Sequence, residues 1–243
     1  MQFNFATYTE MSLRALQFNP KSQEVVDRKK EILQTITTHH GKTPSSILFY
    51  GFNPLILISQ CENISVTEIT DATKKYLADK KVKYTYIDEK DLGEYDKSFD
   101  WVVACDEYFT FANSEDHQLG KVQKISKLVK DLLVTTFRDY KNQDFRDREF
   151  SHPLAVRRDG NSKVFLEHHN HTAHDRNAWE TMIYEMNGQE VSTDGPHNRR
   201  SMFFKQMAKF SLDAGGKKFY VHKNLMYKSL IKKNYEHVIS ISY

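Results

Sequence analysis

From Lys21 to Phe137 the chain alternates amphipathic helical segments with short apolar runs, and most changeovers carry a start or stop signal. KSQEVVDRKKEILQTITTHHGK sets Val25, Val26, Lys29, Ile32, Leu33 and Ile36 near one stripe of a helix, with Gly41 as its C-terminal stop. SSILFYG then reads as a strand, NPLILISQ as a short helix capped by Asn53 with Pro54 in its first turn, and ISVTEI as a second strand rich in β-branched residues. TDATKKYLADKK carries a Thr-Asp start signal and a helical stripe. VKYTYID and FDWVVACD read as strands, KVQKISKLVKD as a helix and LLVTTF as a fifth strand. Strands joined through helices or short turns predict an α/β fold with a mostly parallel sheet and right-handed crossovers. In open sheets of that kind ligands bind outside the carboxyl ends of the strands, so the residues at those ends are the candidate site.

Those ends are acidic. The first strand stops at Gly51, the second at Glu68, the third at Asp88 and Glu89, and the fourth at Asp106 and Glu107. A carboxylate after the second strand suits a ribose, whose vicinal hydroxyls can both donate to it. Glu68 follows Gly51 by 17 residues, near the roughly 20 that separate a glycine turn from such an acid. The blander role for Glu68 is a cap on the helix that begins near Asp71, or a solvated loop acid.

Composition narrows the class. A chain of 243 residues, 39% hydrophobic and 13% aromatic, can bury a sizeable core within one domain and is not a disordered polymer. A net charge of +3, with lysines spread from Lys21 to Lys233, leaves nucleic acid open as a partner without nominating it. Cys61 and Cys105 lie beside apolar runs, which predicts reduced, partly buried thiols and a cytoplasmic setting. The longest apolar run, ILFYGFNPLILIS, is broken by Gly, Asn and Pro and falls short of the roughly 20 residues of a membrane span.

The ordered set of strand ends resembles the class I S-adenosylmethionine-dependent methyltransferases. ILFYGFNP lies where that family has its glycine loop, VTEIT where its second strand ends in the ribose-binding acid, and YIDEKDL where an acidic turn meets the adenine amine. SFDWVVACDEYFTF is similar to the family's fourth strand and its polar end. The resemblance implies a Rossmann-like sheet of seven strands, mostly parallel, with helices on both faces and an antiparallel last strand. It also implies S-adenosylmethionine as cofactor and S-adenosylhomocysteine as product. It assigns Gly51, with Tyr50, Phe52 and Asn53 around it, to close approach of the cofactor, Glu68 to the ribose, Asp88 and Glu89 to the adenine edge, and Asp106 to the methionine part or the substrate. The loop departs from the family in keeping one glycine where two or three are usual.

The resemblance runs from about Thr43 to Tyr243 within a single domain, with residues 1–42 as an N-terminal helical extension. MFFKQMAKFSLDAGGKKFYVHKN fits a helix, a glycine turn and a strand, and YEHVISISY a closing strand. Residues 141–198 are too long for an ordinary connection and carry a hairpin signal at Asn187-Gly188, which predicts an antiparallel insertion after the fifth strand, similar to the lids of small-molecule methyltransferases. A small-molecule acceptor is therefore favoured.

Methyl transfer from a sulfonium is an in-line displacement that depends on alignment more than on covalent catalysis. Candidate bases at the carboxyl edge are Asp106, Glu107 and His117, and candidate acceptor contacts are Tyr108, Arg138, His169, His171 and Arg199. For Tyr108 core packing competes with substrate contact, for Arg138 an ion pair with Asp139, and for Arg199 and Arg200 a helix entry with solvated charges. EHHNHTAHD concentrates histidines: His169 and His171 share a face of a strand and His171 and His174 could meet on a helical turn, but neither spacing is a zinc signature, so no metal is assigned and an exposed polar hairpin competes with acceptor contact. A NAD-binding Rossmann domain needs further glycines to cradle a pyrophosphate; S-adenosylmethionine has no phosphate, so the poor loop weighs more against the dehydrogenase. Two other readings stand beside small-molecule methylation: an RNA methyltransferase of the same fold, and a degenerate Rossmann domain that binds or scaffolds.

Overall fold

The computed structural model describes residues 5–105, 107–138, 149–158, 160–171, 177–228 and 235–243. In chain order the elements are α1 (Phe5–Phe18), α2 (Ser22–His40), β1 (Ser46–Tyr50), β2 (Asn63–Thr67), α3 (Asp71–Asp79), β3 (Thr85–Tyr86), β4 (Phe99–Ala104), α4 (Glu115–Leu128), β5 (Val129–Arg138), β6 (Glu149–Arg158), β7 (Asn161–His171), β8 (Ala178–Asn187), β9 (Glu190–Arg200), α5 (Phe204–Asp213), β10 (Lys218–Lys228) and β11 (Tyr235–Ser242). Single 3-10 turns follow β1, β3 and β4, over Pro54–Leu57, Glu89–Glu94 and Tyr108–Thr110.

The main sheet has seven strands in the order β3-β2-β1-β4-β5-β11-β10. β1 to β5 pair in parallel, and β11 runs antiparallel to both β5 and β10. The expected Rossmann-like sheet with its antiparallel closing strand is therefore present. β1 and β4 read SILFY and FDWVVA because a central parallel strand is covered on both faces and needs apolar residues on both. Leu48 and Tyr50 face Val122, Ile125, Met207 and Phe210 of α4 and α5. Ile47 and Phe49 face Ile32, Ile36 and Leu77 of α2 and α3. A second, antiparallel sheet, β6-β7-β8-β9, fills the connection after β5, where the insertion is expected. Gly188, with φ of 63°, supplies the left-handed residue of the β8–β9 hairpin.

Three local expectations need correction. The N-terminal extension holds two helices instead of one: α1 buries Phe5, Leu13 and Leu16, but its stripe also contains Thr9 and Glu10 and its first turn has no acid, so the usual signals are missing. The third strand, expected over Val82–Asp88, shrinks to Thr85–Tyr86 because it lies at the sheet edge and pairs only with β2. The helix expected from Lys121 to Asp131 starts six residues earlier, where Ser114 caps it by accepting from the His117 amide, and it ends at Leu128 so that Val129–Asp131 can pair in β5. α2 ends as anticipated on Gly41 in the left-handed conformation. Cys61 is half-buried and Cys105 is buried, and the two form no disulfide with each other. Among the described residues no helix is long and apolar enough to cross a membrane.

At the opposite edge of the sheet, Asp100 ties together the starts of the central strands. Its Oδ2 accepts from the Ser45 amide at 2.8 Å, the Ser45 hydroxyl at 2.6 Å and the Ser46 amide at 3.3 Å. Lys130 of β5 reaches its Oδ1 at 3.1 Å. Burial by itself would raise this carboxyl, but the Ser45 donors and the Lys130 ammonium outweigh it and hold the group well below the usual carboxylate range. A depressed folded value stabilises above the unfolded pKa of roughly 3.9 and is lost as the pH falls through the lower folded value. Asp100→Asn should therefore cost about 1–3 kcal/mol at pH 7. The difference from wild type should narrow below about pH 4. Urea midpoints at pH 7 and in acid check this; a gap independent of pH would contradict the ionic assignment.

Candidate active site

The carboxyl edge of the main sheet is built by the residues that follow β1, β2, β3 and β4, with α1 and the second sheet packed above it. Gly51 leaves β1 with φ of 68°, and its amide donates to the Thr67 carbonyl at 2.9 Å, extending the β1–β2 ladder by one residue. Asn53 caps the following turn, its Oδ1 accepting from the Leu55 amide at 3.0 Å. Phe52 is fully buried. The close approach to Gly51 is made by α1: a Cβ added there would stand 2.6 Å from the Phe5 ring and 2.8 Å from the Thr9 methyl. Thr9 Oγ1 also accepts from the Phe52 amide at 3.1 Å.

Glu68 and Glu107, at the ends of β2 and β4, are both held with left-handed backbone, φ 50° and 61°. Such conformations cost a non-glycine residue free energy and cluster at functional sites and turns. Glu68 does not cap α3; Thr70 does, accepting from the Thr73 amide. Instead, Glu68 Oε1 accepts from the Tyr108 hydroxyl at 3.4 Å. The Tyr108 ring lies 4.9 Å from that of Tyr50. The buried Tyr50 hydroxyl has no hydrogen-bond partner among the described residues, and an orphaned buried donor is an unmet cost that a ligand can relieve.

Two lysines of α4 border the same edge. Lys124 pairs with Glu89 at 2.7 Å. Lys121 Nζ donates to the carbonyls of Tyr108 and Phe111 at 3.0 and 2.9 Å and stands 3.8 Å over the Tyr108 ring. Burial and the neighbouring Glu89 push the Glu68 carboxyl up to about 7, against the lysine charges. Burial pulls Lys121 down to about 8, against the pull of Glu68 and Glu89. Burial also raises the Tyr50 and Tyr108 phenols, so both remain protonated donors. Asp88 is occupied otherwise: it caps the next turn through the Lys90 amide at 3.1 Å and pairs with the Lys90 ammonium.

The second part of the site lies between the turn after β4 and the inner face of the second sheet. Arg199 of β9 is buried, with Nη2 on Glu107 Oε2, Nη2 and Nε on Thr110 Oγ1 at 2.8 and 3.1 Å, and Nη1 on Glu167 Oε1 at 3.0 Å. Its guanidinium carbon lies 4.6 Å from the Phe111 ring centre and 5.3 Å from that of Tyr8. Tyr8 donates to Glu167 at 3.3 Å, and His169, also buried, meets the Thr181 hydroxyl through Nδ1 at 3.0 Å. The helix-entry alternative for Arg199 is thereby corrected: residues 197 and 199 point inward on a strand, and their alternate burial is the signal that could have shown it. His117 is half-buried in α4, 3.2 Å from Asn113 Oδ1, and burial lowers its pKa. Asp106 lies outside the described residues, as do the side chains of Arg138 and His171 and most of the histidine-rich stretch that follows. The structure thus brings Tyr50, Glu68, Glu89 and Tyr108 together, and separately Glu107, His169 and Arg199. It adds Tyr8, Lys121, Glu167 and Thr181, none of which has a motif.

No protein-family model matches the chain, and no curated protein matches it. Solved structures match its fold. A S-adenosylmethionine-dependent methyltransferase from Clostridium acetobutylicum superposes with a TM-score of 0.65 at 10% identity over 89% of this chain and 91% of that one. CalS10 of Micromonospora echinaspora, an amino pentose methyltransferase of calicheamicin biosynthesis solved with S-adenosylmethionine bound, gives 0.60 at 12% identity over 100% and 98%. The sugar N-methyltransferase KedS8 of Streptoalloteichus gives 0.59 at 12% over 86% and 84%. This chain has the class I methyltransferase fold.

Proposed function

We propose that the chain binds S-adenosylmethionine at the carboxyl edge of the main sheet and directs its methyl group to a small-molecule acceptor beneath the second sheet. What carries the reading is the convergence of Glu68, the unpartnered Tyr50 hydroxyl and Tyr108 on the edge where this fold binds ligands. The solved relatives that act on an amino pentose and on a sugar nitrogen support the cofactor and a small acceptor. When bound, the cofactor supplies an electrophilic methyl group on sulfur.

The chain's own residues bind, orient and exclude water. Glu68 and Tyr50 offer an acceptor and a donor to a ribose, and Glu89 stands on the adenine side. Asp88 and Asp106 stay in the cofactor set on the strength of the resemblance, as do Phe52 and Asn53 beside Gly51. Arg199 holds Glu107 in place at the strand end, and Tyr8, Phe111 and Trp179 wall the space around the guanidinium with apolar rings. His117 presents its Nδ1 to a carboxamide oxygen, which makes Nε2 its basic nitrogen, and its lowered pKa keeps the ring neutral at pH 7. His117 and Glu107 are the bases we assign to the proton that an amine or hydroxyl acceptor loses.

Calorimetric titration with S-adenosylmethionine and S-adenosylhomocysteine tests the cofactor. Both should bind, and Glu68→Ala should weaken them by roughly 10- to 100-fold, the worth of one or two hydrogen bonds to a charged acceptor. No binding of either at near-millimolar concentration would sink the reading, and unchanged affinity in the variant would remove Glu68 from the ribose. A second reading, a domain that binds without turnover, is favoured by the seating of Phe5 and Thr9 on Gly51. Cofactor binding with no methyl transfer across amine and hydroxyl acceptors would support it.

A further inference from the structure

We propose that Lys121 is a positioning residue for the cofactor site: anchored on the Tyr108 carbonyl and ring, its charge favours the ionised form of Glu68 that accepts ribose hydroxyls, and so sets the pH range over which the cofactor binds. The inference rests on the cofactor reading above. No motif of the fold calls for this lysine; it is the geometry around Tyr108 that singles it out.

Tyr108 is held from two sides. Its hydroxyl donates to Glu68 Oε1 at 3.4 Å, while its ring lies 3.8 Å beneath Lys121 Nζ and its carbonyl accepts from the same ammonium at 3.0 Å. The Phe111 carbonyl takes a second Nζ proton at 2.9 Å. Lys121 therefore cannot swing to solvent without giving up two carbonyls and an aromatic face. A fixed positive charge beside a half-buried carboxyl favours its ionised form, and burial opposes it. The other groups that act on the pair are Glu89 after β3, which disfavours a second negative charge, and Lys124 and Arg199, which disfavour a second positive one. Tyr50 and Tyr108 supply neutral hydroxyls. Lys121 is the largest of the charges that hold Glu68 down.

A carboxylate accepts from both hydroxyls of a ribose, whereas a protonated carboxyl has one oxygen committed as a donor. Affinity should thus rise as Glu68 ionises through about pH 7, and the contribution of Lys121 should fade once it loses its own proton near pH 8. Without the lysine charge, Glu68 should ionise at higher pH.

The test compares wild type with Lys121→Gln, which keeps a donor for the carbonyls but no charge, and Lys121→Arg, which keeps the charge. The Glu68 titration is read directly from its carboxyl carbon resonance, assigned with Glu68→Gln, and S-adenosylhomocysteine affinity is measured from pH 6 to 9. Lys121→Gln should raise the Glu68 midpoint and weaken the ligand roughly tenfold at pH 7, with affinities converging at pH 9. Lys121→Arg should restore both readouts. An unmoved midpoint in Lys121→Gln overturns the electrostatic role even if affinity falls. A moved midpoint with no ligand bound by any form overturns the cofactor reading instead, so the two failures are told apart.

Discussion

Arg199→Met should lower the free energy of unfolding by about 3–5 kcal/mol, the cost of removing one partner from a buried ion pair. The guanidinium is buried against Glu107, Thr110 and Glu167, so its loss takes the cation from two carboxylates in a site walled by Phe111, Tyr8 and Trp179. A buried carboxylate without its cation can escape the penalty by taking up a proton. The deficit should therefore be larger at pH 8 than at pH 5. Adding Glu107→Gln and Glu167→Gln should recover part of the loss, because the variant then contains no stranded charge. Urea midpoints at the two pH values, with an unchanged m-value, measure this. The result also separates two roles. An arginine that mainly receives an acceptor would leave stability within about 1 kcal/mol of wild type and raise KM. An arginine that clamps the second sheet to the end of β4 destabilises first.

That clamp marks the boundary of what can be read from residue order. The parallel sheet was legible because its strands are buried on both faces and therefore nearly all apolar, as in SILFY and FDWVVA. The acids after β2 and β4 were legible because strand ends in such a sheet fall on one edge whatever the packing details. α1 was not, since a helix that seats Thr9 on a glycine turn breaks the apolar stripe by which helices are recognised. Nor could pattern show that Asp88 caps its own turn while Glu89 turns to Lys124, because the two acids are adjacent and equally polar. Glu107 meets Arg199 92 positions further along the chain, and Arg199 in turn meets Glu167 and the Tyr8 ring of α1, so no local spacing records the cluster. Lys121 reads as one more polar position on an amphipathic helix until Tyr108 is placed beneath it.

Gly51→Ala should cost about 2–5 kcal/mol, from two causes that can be measured apart. A left-handed residue with a Cβ carries roughly 1–2 kcal/mol of intrinsic penalty, and Gly51 has φ of 68°. The new methyl group would also stand 2.6 Å from the Phe5 ring and 2.8 Å from the Thr9 methyl, and overpacking of that kind costs roughly 1–3 kcal/mol. In a Phe5→Ala background the ring contact is absent but the backbone penalty remains, so the same glycine substitution should cost less there. The difference is the coupling between α1 and the glycine turn. Equal costs in the two backgrounds would mean that the Phe5 ring does not rest on Gly51 in solution. Because Phe5 also packs edge-on against Tyr108 and Phe111, the strain should loosen α1 before it unfolds the sheet. Amide exchange should accordingly rise in residues 5–18 of Gly51→Ala while β1 and β4 stay protected. That pattern would locate the first opening of the molecule at the turn where β1 meets the carboxyl edge of the sheet, and a uniform rise across the sheet would place it elsewhere.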